Sequence, residues 1–232
     1  MHHITFNVID LETTGFDKEK DKVVSAASVK VSTKAGILDT YYILVNPGIA
    51  ICPESSAIHH ITDKMVAGKP SLDTIIDNLK GGDCLVAHNA EFDTGFVGNF
   101  GMPVLCTMRL ARKLWPDLTH TKNQFLRYYW NLEVGEVGMA HNALADAVVT
   151  AHVLLFELAE LNKRAKDSSN FDLNKLIEWV NAPMLLSKCR FGNKHFGQPW
   201  SEVPKSYLKW MTEKVTDMDR DTRHTVEYWL AQ

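Results

Sequence analysis

Asp10 and Glu12 lie one residue apart in "DLETTG", at the end of an apolar run that reads as a β-strand. Alternate side chains of a strand point to the same face, so the two carboxylates would project together and repel each other. Carboxylate oxygens are the ligands that hard divalent cations such as magnesium prefer. A bound cation would offset this repulsion, so the pair predicts a metal site.

Two further motifs supply carboxylates and an imidazole. "HNAEFD" carries Asp93 at the start of a predicted helix, and "HNALADA" carries His141 and Asp146 at the start of another. Five residues of helix rotate by about 500°, so His141 and Asp146 would point roughly 140° apart if both were helical. We therefore predict that Asn142 caps the helix and that His141 lies on the preceding loop. Histidine titrates near neutral pH, which suits a general base acting on an attacking water.

Each acidic residue also has a structural interpretation. Asp10 could form a turn at the strand end, and Glu12 could be a solvated charge. Asp93 and Asp146 could be first-turn acids that interact with helix dipoles. The joint presence of four acids and one histidine in three motifs favours the catalytic interpretation.

The elements that must position these motifs follow from hydrophobic periodicity. Three runs rich in β-branched and aromatic residues, ITFNVID, VVSAASVKV and ILDTYYILV, predict three successive strands. Further short strands are predicted over 84–87 and 104–107. Helices are predicted over 54–65, 72–79, 90–99 and 142–161, and in MRLARKLW, KNQFLRYYW, LNKLIEWV, KSYLKWM and DTRHTVEYWL. Strands with interspersed helices predict an α/β layered domain.

A polar segment, NKRAKDSSN at 162–170, lacks an apolar period and predicts a linker. It would separate a first domain over 1–161 from a small, mainly helical C-terminal module over 171–232. About 60 residues is marginal for an independent core. We therefore expect this module to dock on the first domain or on a protein partner.

Composition limits the class of protein. The chain has 232 residues, 45% of them hydrophobic, and no run approaches the roughly 18 apolar residues of a membrane span. The N-terminus lacks the basic-then-apolar order of a signal peptide, so a cytoplasmic location without membrane association is expected. The four cysteines are widely spaced without a C-x-x-C motif, which favours reduced, mostly buried thiols over a zinc site or disulfides.

Charge is distributed unevenly along the chain. Residues 1–182 hold 17 Lys and Arg against 22 Asp and Glu, whereas 183–214 hold six against two. This basic segment could contact phosphates or could be a solvated face. The candidates for phosphate contact there are Lys188, Arg190, Lys194, Lys205 and Lys209, and Arg109, Arg112 and Lys113 form a second candidate track. Trp200, Tyr207 and Trp210 are expected to form a small core rather than to stack on bases.

The three motifs together resemble those of the DEDDh exonucleases, a DnaQ-like family of the ribonuclease-H-like superfamily. DLETTG, HNAEFD and HNALADA occur in the family's order, and the resemblance covers about 4–160. It implies a mixed five-stranded sheet flanked by helices. The stretch FGNKHFGQPWSEVPKSYLKWM resembles the small C-terminal module of exodeoxyribonuclease X-type members, with Phe196 at a place where a basic residue is common.

The resemblance also implies a reaction, which is the metal-dependent hydrolysis of phosphodiester bonds from 3′ ends with release of nucleoside 5′-monophosphates. Asp10, Glu12, Asp93 and Asp146 would bind two divalent cations, Mg²⁺ or Mn²⁺, with Asp10 bridging both, and His141 would be the general base. The expected substrate-binding residues are Glu12, Thr13, Thr14, Phe16, His88 and Asn89. For the last two, helix capping is the first interpretation and substrate contact the second.

Three functions remain open at the level of sequence. The leading one is a 3′-to-5′ exonuclease acting on single-stranded or frayed DNA 3′ ends, for example in repair. The second is RNA trimming or polymerase proofreading by the same chemistry. The third is a non-catalytic adaptor that binds a protein partner through the C-terminal module, and nothing in the sequence fixes whether the chain forms a homodimer.

Overall fold

A single mixed β-sheet organises the first part of the chain. The computed structural model describes residues 4–135, 141–165, 172–216 and 218–232. The five strands are β1 (Thr5–Thr13), β2 (Val23–Ser32), β3 (Gly36–Leu44), β4 (Cys84–Ala87) and β5 (Val104–Cys106). Their order is β3-β2-β1-β4-β5, antiparallel between β1, β2 and β3 and parallel from β1 through β4 to β5. The predicted five-stranded mixed sheet of the α/β class is confirmed.

The central strand β1 is buried along most of its length. Phe6, Val8, Ile9 and Leu11 belong to the core, whereas Asp10 and its second neighbour Glu12 are only partly buried. The antiparallel pairing with β2 shifts register immediately after Glu12. A bulge at this place bends the strand and redirects the side chains that follow it.

Helices lie between the later strands in sequence and follow the last strand. They are α1 (Pro53–His59), α2 (Asp63–Val66), α3 (Leu72–Ile75), α4 (Ala90–Val97), α5 (Thr107–Leu114), α6 (Asn123–Tyr129), α7 (Ala143–Arg164), α8 (Leu173–Asn181), α9 (Lys205–Lys214) and α10 (Arg220–Ala231). The predicted helix over 54–65 is two helices, because His60 adopts a left-handed conformation with φ of 60° and ends α1. The long helix α7 packs on β1 and β2, and its inward residues are mostly small or β-branched.

The predicted linker differs from the structure. Residues 162–164 continue α7, whose last turn is supported by an exposed Lys163–Glu160 ion pair and by the Ala165 N–H donating to Leu161. Residues 166–170 lie outside the described part. The first residues of the polar segment thus belong to α7, which ends at Arg164.

The chain divides into two compact units at a later point than predicted. The first comprises 1–114 and 120–180, and the second 115–119 and 181–232. Most of α8 therefore groups with the sheet. One reason is that the Arg109 side chain on α5 donates its Nε–H to the Val180 carbonyl at 3.1 Å.

The second unit has its own small core. Trp200, Leu208, Met211 and Val226 are fully buried within it. The prediction that Trp200 is a core residue is confirmed, but it is wrong for Trp210, whose side chain is 45% exposed. Trp210 points outward from α9 and stacks on the half-buried ring of Tyr207, with ring centres 5.2 Å apart.

The helices carry no membrane signature, and the thiols are mostly inside. Within the described ranges, no helix has both the length and the apolar character needed to cross a bilayer. Cys84, Cys106 and Cys189 are buried and Cys52 is exposed, as expected for mostly buried thiols.

Candidate active site

Asp10, Glu12 and Asp146 converge at the end of strand β1. Each offers a carboxylate oxygen, and these oxygens all lie within 4.8 Å of one another. Asp10 and Glu12 share one face of β1, and Asp146 reaches them from the first turns of α7. Alternation along β1 predicted that Asp10 and Glu12 project together, and the family resemblance added Asp146 to them.

Asp93 completes the acidic set from helix α4. It is only 3% exposed and is not part of the three-residue group, yet its charge contributes to the raised pKa of Asp10. Burial raises the pKa of Asp93 to about 8, with a smaller contribution from Glu12, while hydrogen bonds from the backbone of Leu11 and of Asp93 itself act in the opposite direction.

The electrostatic cost of this arrangement is visible in the raised pKa values of Asp10 and Glu12. Burial first, and then the charges of Asp93, Asp146 and Glu12, raise the pKa of Asp10 well above its usual range. Burial and then Asp146 raise the pKa of Glu12 to about 7. In the described part of the chain, no Lys or Arg forms an ion pair with any of these acids. The cluster is therefore short of positive charge.

Asp146 and His141 have the arrangement that the helix geometry predicted. Asn142 caps α7 by accepting a hydrogen bond from the Ala145 N–H at 3.2 Å, and His141 precedes the helix with φ of 62°. The backbone N–H of His141 donates to Asp146 Oδ2 at 2.7 Å. The same carboxylate thus faces the acidic group and holds the backbone of His141, whose imidazole is exposed.

The donor set fits divalent cations. Three convergent carboxylates, a buried fourth beside them and raised pKa values describe a site that hard cations would stabilise by neutralising charge. A purely structural role for these acids would leave their mutual repulsion without compensation. The residues present therefore fit a metal centre.

Comparisons with known proteins identify the family. The exonuclease family RNase_T matches residues 8–154. Exodeoxyribonuclease 10 of Escherichia coli strain K12 is 30% identical over 227 residues, which cover 96% of this chain and 97% of that protein. The chain belongs to the exonuclease family. The predicted membership of the DEDDh group of 3′-to-5′ exonucleases is thereby confirmed.

Two further relatives agree with membership of the exonuclease family. The solved structure of exonuclease X in complex with 5′ overhanging duplex DNA matches with a TM-score of 0.66 and 31% identity, over 76% of this chain and 99% of that chain. The epsilon subunit of DNA polymerase III from Aquifex aeolicus is 34% identical over 170 residues, which cover 68% of this chain and 82% of that protein.

Helix α6 of the exonuclease supplies contacts to Asp146 that the sequence did not reveal. The Gln124 amide donates from Nε2 to Asp146 Oδ1 at 2.8 Å, and Asn123 donates from Nδ2 to the Asp146 carbonyl at 3.0 Å. Because the His141 N–H donates to Oδ2, both carboxylate oxygens of Asp146 accept a hydrogen bond that orients them. Gln124 lies in a predicted helix, but its partner is 22 residues away, so no local pattern marks it.

Phe16 lies on the loop that follows β1 and is 84% exposed. The loop is fixed by Asp21, which accepts hydrogen bonds from the Thr14 hydroxyl at 2.9 Å and from the Asp17 N–H at 2.8 Å. A Cβ on Gly15 would collide with the Asp21 carboxylate, which explains the glycine of the motif. The exposed ring is thus presented by a well-defined turn next to the acidic group.

The two threonines of the first motif serve mainly that turn. Thr13 and Thr14 are buried, and the Thr13 hydroxyl donates to the Gly15 carbonyl. The Thr14 carbonyl accepts from Ser55 Oγ at 2.7 Å. A substrate contact through the Thr13 backbone remains a prediction, whereas the Thr14 side chain is already bonded within the turn.

His88 and Asn89 behave differently from each other. Both ring nitrogens of His88 are bonded to the protein, Nδ1 to Thr107 Oγ1 at 2.8 Å and Nε2 to the Thr121 carbonyl at 2.7 Å. Burial lowers the pKa of His88 to about 4. A substrate contact by His88 is therefore not supported. Asn89 is exposed with φ of 71° and makes no side-chain cap for α4, so the capping interpretation is wrong for its side chain.

The candidate phosphate track on α5 is also not supported. Arg112 donates from Nε to Thr121 Oγ1 at 3.3 Å, and the Lys113 ammonium lies 5.7 Å from the ring centre of Trp179. Arg109 is bonded to Val180. All three side chains are half-buried in contacts within the first unit, so they do not form an open row of cations.

The candidates in the second unit divide in a similar way. Arg190 donates to the Leu118 carbonyl at 3.0 Å. Four lysines are exposed and form no ion pair with a described residue, and these are Lys188, Lys194, Lys205 and Lys209. They remain candidates for phosphate contact.

Proposed function

We propose that this exonuclease removes nucleotides from DNA 3′ ends, preferring single-stranded or frayed ends, and releases nucleoside 5′-monophosphates. The observation that carries the proposal is the convergence of Asp10, Glu12 and Asp146, with Asp93 beside them and the exposed His141 on an oriented loop. One sequence relative and one solved structure support DNA as the substrate. The E. coli relative is an exodeoxyribonuclease, and the solved structure of exonuclease X is a complex with DNA. A role in DNA repair is the corresponding cellular prediction.

The metal centre is proposed to use Mg²⁺ or Mn²⁺. Asp10, Glu12 and Asp146 would hold one ion, and Asp93 with Asp10 would hold the second. Bound divalent cations supply charge neutralisation at the phosphate and lower the pKa of water. Asp10 is proposed as the shared ligand because the charges of all three other acids act on it.

His141 is proposed to accept the proton of the attacking water at an imidazole nitrogen. The water oxygen forms a bond to phosphorus, the bond from phosphorus to the 3′ oxygen breaks, and that oxygen takes up a proton from solvent. The His141 backbone is held by Asp146 while its ring is exposed, so the imidazole can reach a substrate without breaking the contact that orients it. A positioned general base contributes roughly 10²- to 10⁴-fold to such a step.

The 3′ terminal nucleotide is proposed to bind between β1 and the start of α4. Glu12 and the Thr13 backbone would contact the 3′ hydroxyl, and Asn89 offers a free amide at the entry to α4. Phe16 would insert beside the last bases. Ring stacking of this kind tolerates any base, as an exonuclease requires.

The second unit is proposed to add phosphate contacts through its exposed lysines, of which Lys194 lies beside the exposed Phe196. Each surface phosphate contact contributes modestly and is weakened by salt. Docking of a protein partner on this unit, homodimer formation and a cytoplasmic location remain predictions.

The test follows a 5′-labelled single-stranded DNA oligonucleotide and its RNA equivalent on a denaturing gel, with Mg²⁺ and with chelator. A metal-dependent ladder that shortens from the 3′ end of DNA is expected. The Asp93→Asn variant is the matched control, because it keeps the shape of the site and should give no ladder. Products that shorten from the 5′ end, or a ladder that persists in chelator, would contradict the proposal.

A second candidate function is polymerase proofreading or RNA trimming. The similarity to the Aquifex aeolicus polymerase subunit favours proofreading over trimming. The active-site residues themselves do not distinguish between these two functions. Faster removal of a mismatched than of a matched 3′ nucleotide would support proofreading, and a ladder on RNA alone would support trimming. A non-catalytic adaptor would require that neither nucleic acid is degraded.

A further inference from the structure

Helix α6 presents three aromatic side chains on its outer side. Tyr128 is 73% and Tyr129 60% exposed, whereas Leu126 on the opposite side is fully buried. Phe125 and Tyr129 lie one turn apart and stack with ring centres 5.3 Å apart and planes 21° from parallel. Large exposed aromatic clusters on a protein surface generally mark a binding site. We refer to Phe125, Tyr128 and Tyr129 as the α6 aromatic face.

Cationic groups border this face. The Arg127 guanidinium lies 5.3 Å from the ring centre of Tyr128, and Lys122 is exposed at the start of α6. His120 contacts the edge of Phe125, with ring centres 5.4 Å apart. Among the described residues, no carboxylate forms an ion pair with Lys122 or Arg127. Rings bordered by cations fit a ligand that has flat bases and negative phosphates.

The face begins directly beside the active site. Gln124 donates to Asp146 Oδ1, and Tyr128 lies four residues further along α6 on the same side of the helix. Residues four apart on a helix are about 6 Å apart. Tyr128 is therefore about one helical turn from a side chain that touches a proposed metal ligand. A strand whose 3′ end occupies the acidic group has only a short distance to cover to reach these rings.

We propose that the α6 aromatic face binds the single-stranded part of the substrate by stacking on its bases, upstream of the terminal nucleotide. This inference rests on the proposed function and adds a surface to it. Stacking is tolerant of sequence because every base has a π-face, and the neighbouring cations can contact the strand's phosphates. A purely apolar partner surface would gain nothing from the cationic border.

The first test measures binding without hydrolysis. A 5′-fluorescein single strand of about 12 nucleotides, within the span that small stacking sites cover, is titrated by anisotropy against the full chain carrying Asp10→Asn. Adding Tyr128→Ala and Tyr129→Ala is expected to weaken binding roughly 5- to 100-fold. The Phe substitutions at both positions should retain binding, because they keep the rings. Tyr228→Ala, which removes an exposed tyrosine of α10, is the control and should have no effect.

The second test separates this surface from the chemistry. The alanine variants in the otherwise natural chain should raise the KM for the oligonucleotide but leave hydrolysis of the p-nitrophenyl ester of thymidine 5′-monophosphate unchanged. That ester has no upstream bases. If the natural chain hydrolyses neither substrate, the proposed function fails, and the anisotropy result still decides whether the face binds a strand.

Three outcomes would overturn the inference. Unchanged oligonucleotide affinity in the double alanine variant is the first, and equal losses in the Phe and Ala variants are the second. The third is a change from dimer to monomer on gel filtration with affinity unaltered, which would assign the face to a second copy of the chain. Melting temperatures check folding, and if the double variant does not fold, Tyr128→Leu alone, which keeps the bulk without the ring, replaces it.

Discussion

Helix α7 carries two acids in very different situations, Asp146 near its start and Glu157 three turns later. Their separation of eleven positions corresponds to a net rotation of about 20° and a length of about 16 Å, so both lie on one stripe of the helix. Asp146 converges with Asp10 and Glu12 and has partners for both oxygens. Glu157 is fully buried, and neither of its oxygens has a hydrogen-bond partner in the described part of the chain.

Burial alone does not make a carboxylate functional. Burial, followed by the Cys106 thiol, raises the pKa of Glu157 well above its usual range, just as burial raises that of Asp10. The difference is that Asp10 is surrounded by other carboxylates and Glu157 is not. A lone buried carboxyl group can remain protonated, whereas a cluster near the surface can exchange its protons for cations. Experiments that remove one acid at a time test this distinction.

The largest effect is expected from Asp10→Asn, which should leave no detectable hydrolysis. The substitution keeps the shape of the side chain but removes the proposed metal ligand, the carboxylate whose pKa the charges of the other acids raise. In chelator the variant should be at least as stable as the natural chain near neutral pH, since a repelling carboxylate is gone. Thermal unfolding with and without Mg²⁺ checks this: the ion should raise the melting temperature of the natural chain but not of the variant. Retained activity would refute the metal assignment.

His141→Ala should lower the turnover number by roughly 10²- to 10⁴-fold, the loss typical of a missing general base. Metal binding should persist, because Asp146 accepts from the backbone N–H of residue 141 and not from its imidazole. Single-turnover kinetics and the Mg²⁺-induced stabilisation are the two measurements. A near-normal rate would make His141 a structural residue.

The sequence predicted most of this site because its information is local. Alternation along β1 placed Asp10 and Glu12 together, and the helix rotation placed His141 outside α7 with Asn142 as its cap. The mixed five-stranded sheet followed from the resemblance to a known fold, since pairing between distant strands has no local signature. The two compact units divide after Val180 rather than at 162–170, and a contact such as that between Arg109 and Val180, 71 residues apart, has no local signature.

The failures concern contacts between distant parts of the chain. Arg112 and His88 have the chemistry of substrate contacts, yet both bond to Thr121, which folding brings close to them. Gln124 has an ordinary composition and sequence context, yet it orients Asp146. In each case the partner rather than the residue decides the role, and these partners lie on other segments, whose positions periodicity does not give.

The affinity for Mg²⁺ is expected to rise by about 100-fold from pH 6 to pH 8. In the metal-free protein the pKa of Glu12 is about 7 and that of Asp93 about 8, so both are largely protonated at pH 6 and must lose their protons to bind a cation. Affinity should therefore increase with pH and level off only at about pH 9, where Asp93 has lost most of its proton. Calorimetry in two buffers of different ionisation enthalpy measures both the affinity and the protons released. An affinity independent of pH would contradict the cluster's electrostatics.

Gln124→Ala should reduce activity by roughly 10- to 100-fold, as expected when a group that orients a metal ligand is lost. The rate should recover at high Mg²⁺ or Mn²⁺, because the defect is weaker ion binding rather than a missing catalytic group. Gln124→Glu is the matched comparison: it retains the shape but places a second carboxylate against Asp146, and should be worse than alanine. Equal activity of all three proteins across the metal titration would show that Asp146 is oriented without α6.

The smallest effect on the reaction is expected from Glu157→Gln, which should leave the hydrolysis rate and the Mg²⁺ response unchanged. Its effect should be on stability. Because the folded-state pKa of Glu157 is raised, the unfolded chain releases this proton at a lower pH than the folded chain does, and stability declines as pH rises above about 4.3. Glutamine has no proton to lose, so the two proteins should be close in stability at pH 4, and the variant should become progressively the more stable one towards pH 7. Urea unfolding in chelator across this range measures the difference, and parallel stability profiles would mean that Glu157 ionises in the folded protein without penalty.

If Mg²⁺ stabilised the natural chain but not this variant, Glu157 would belong with the metal-binding acids, and the distinction between a lone buried carboxyl group and a convergent cluster would fail.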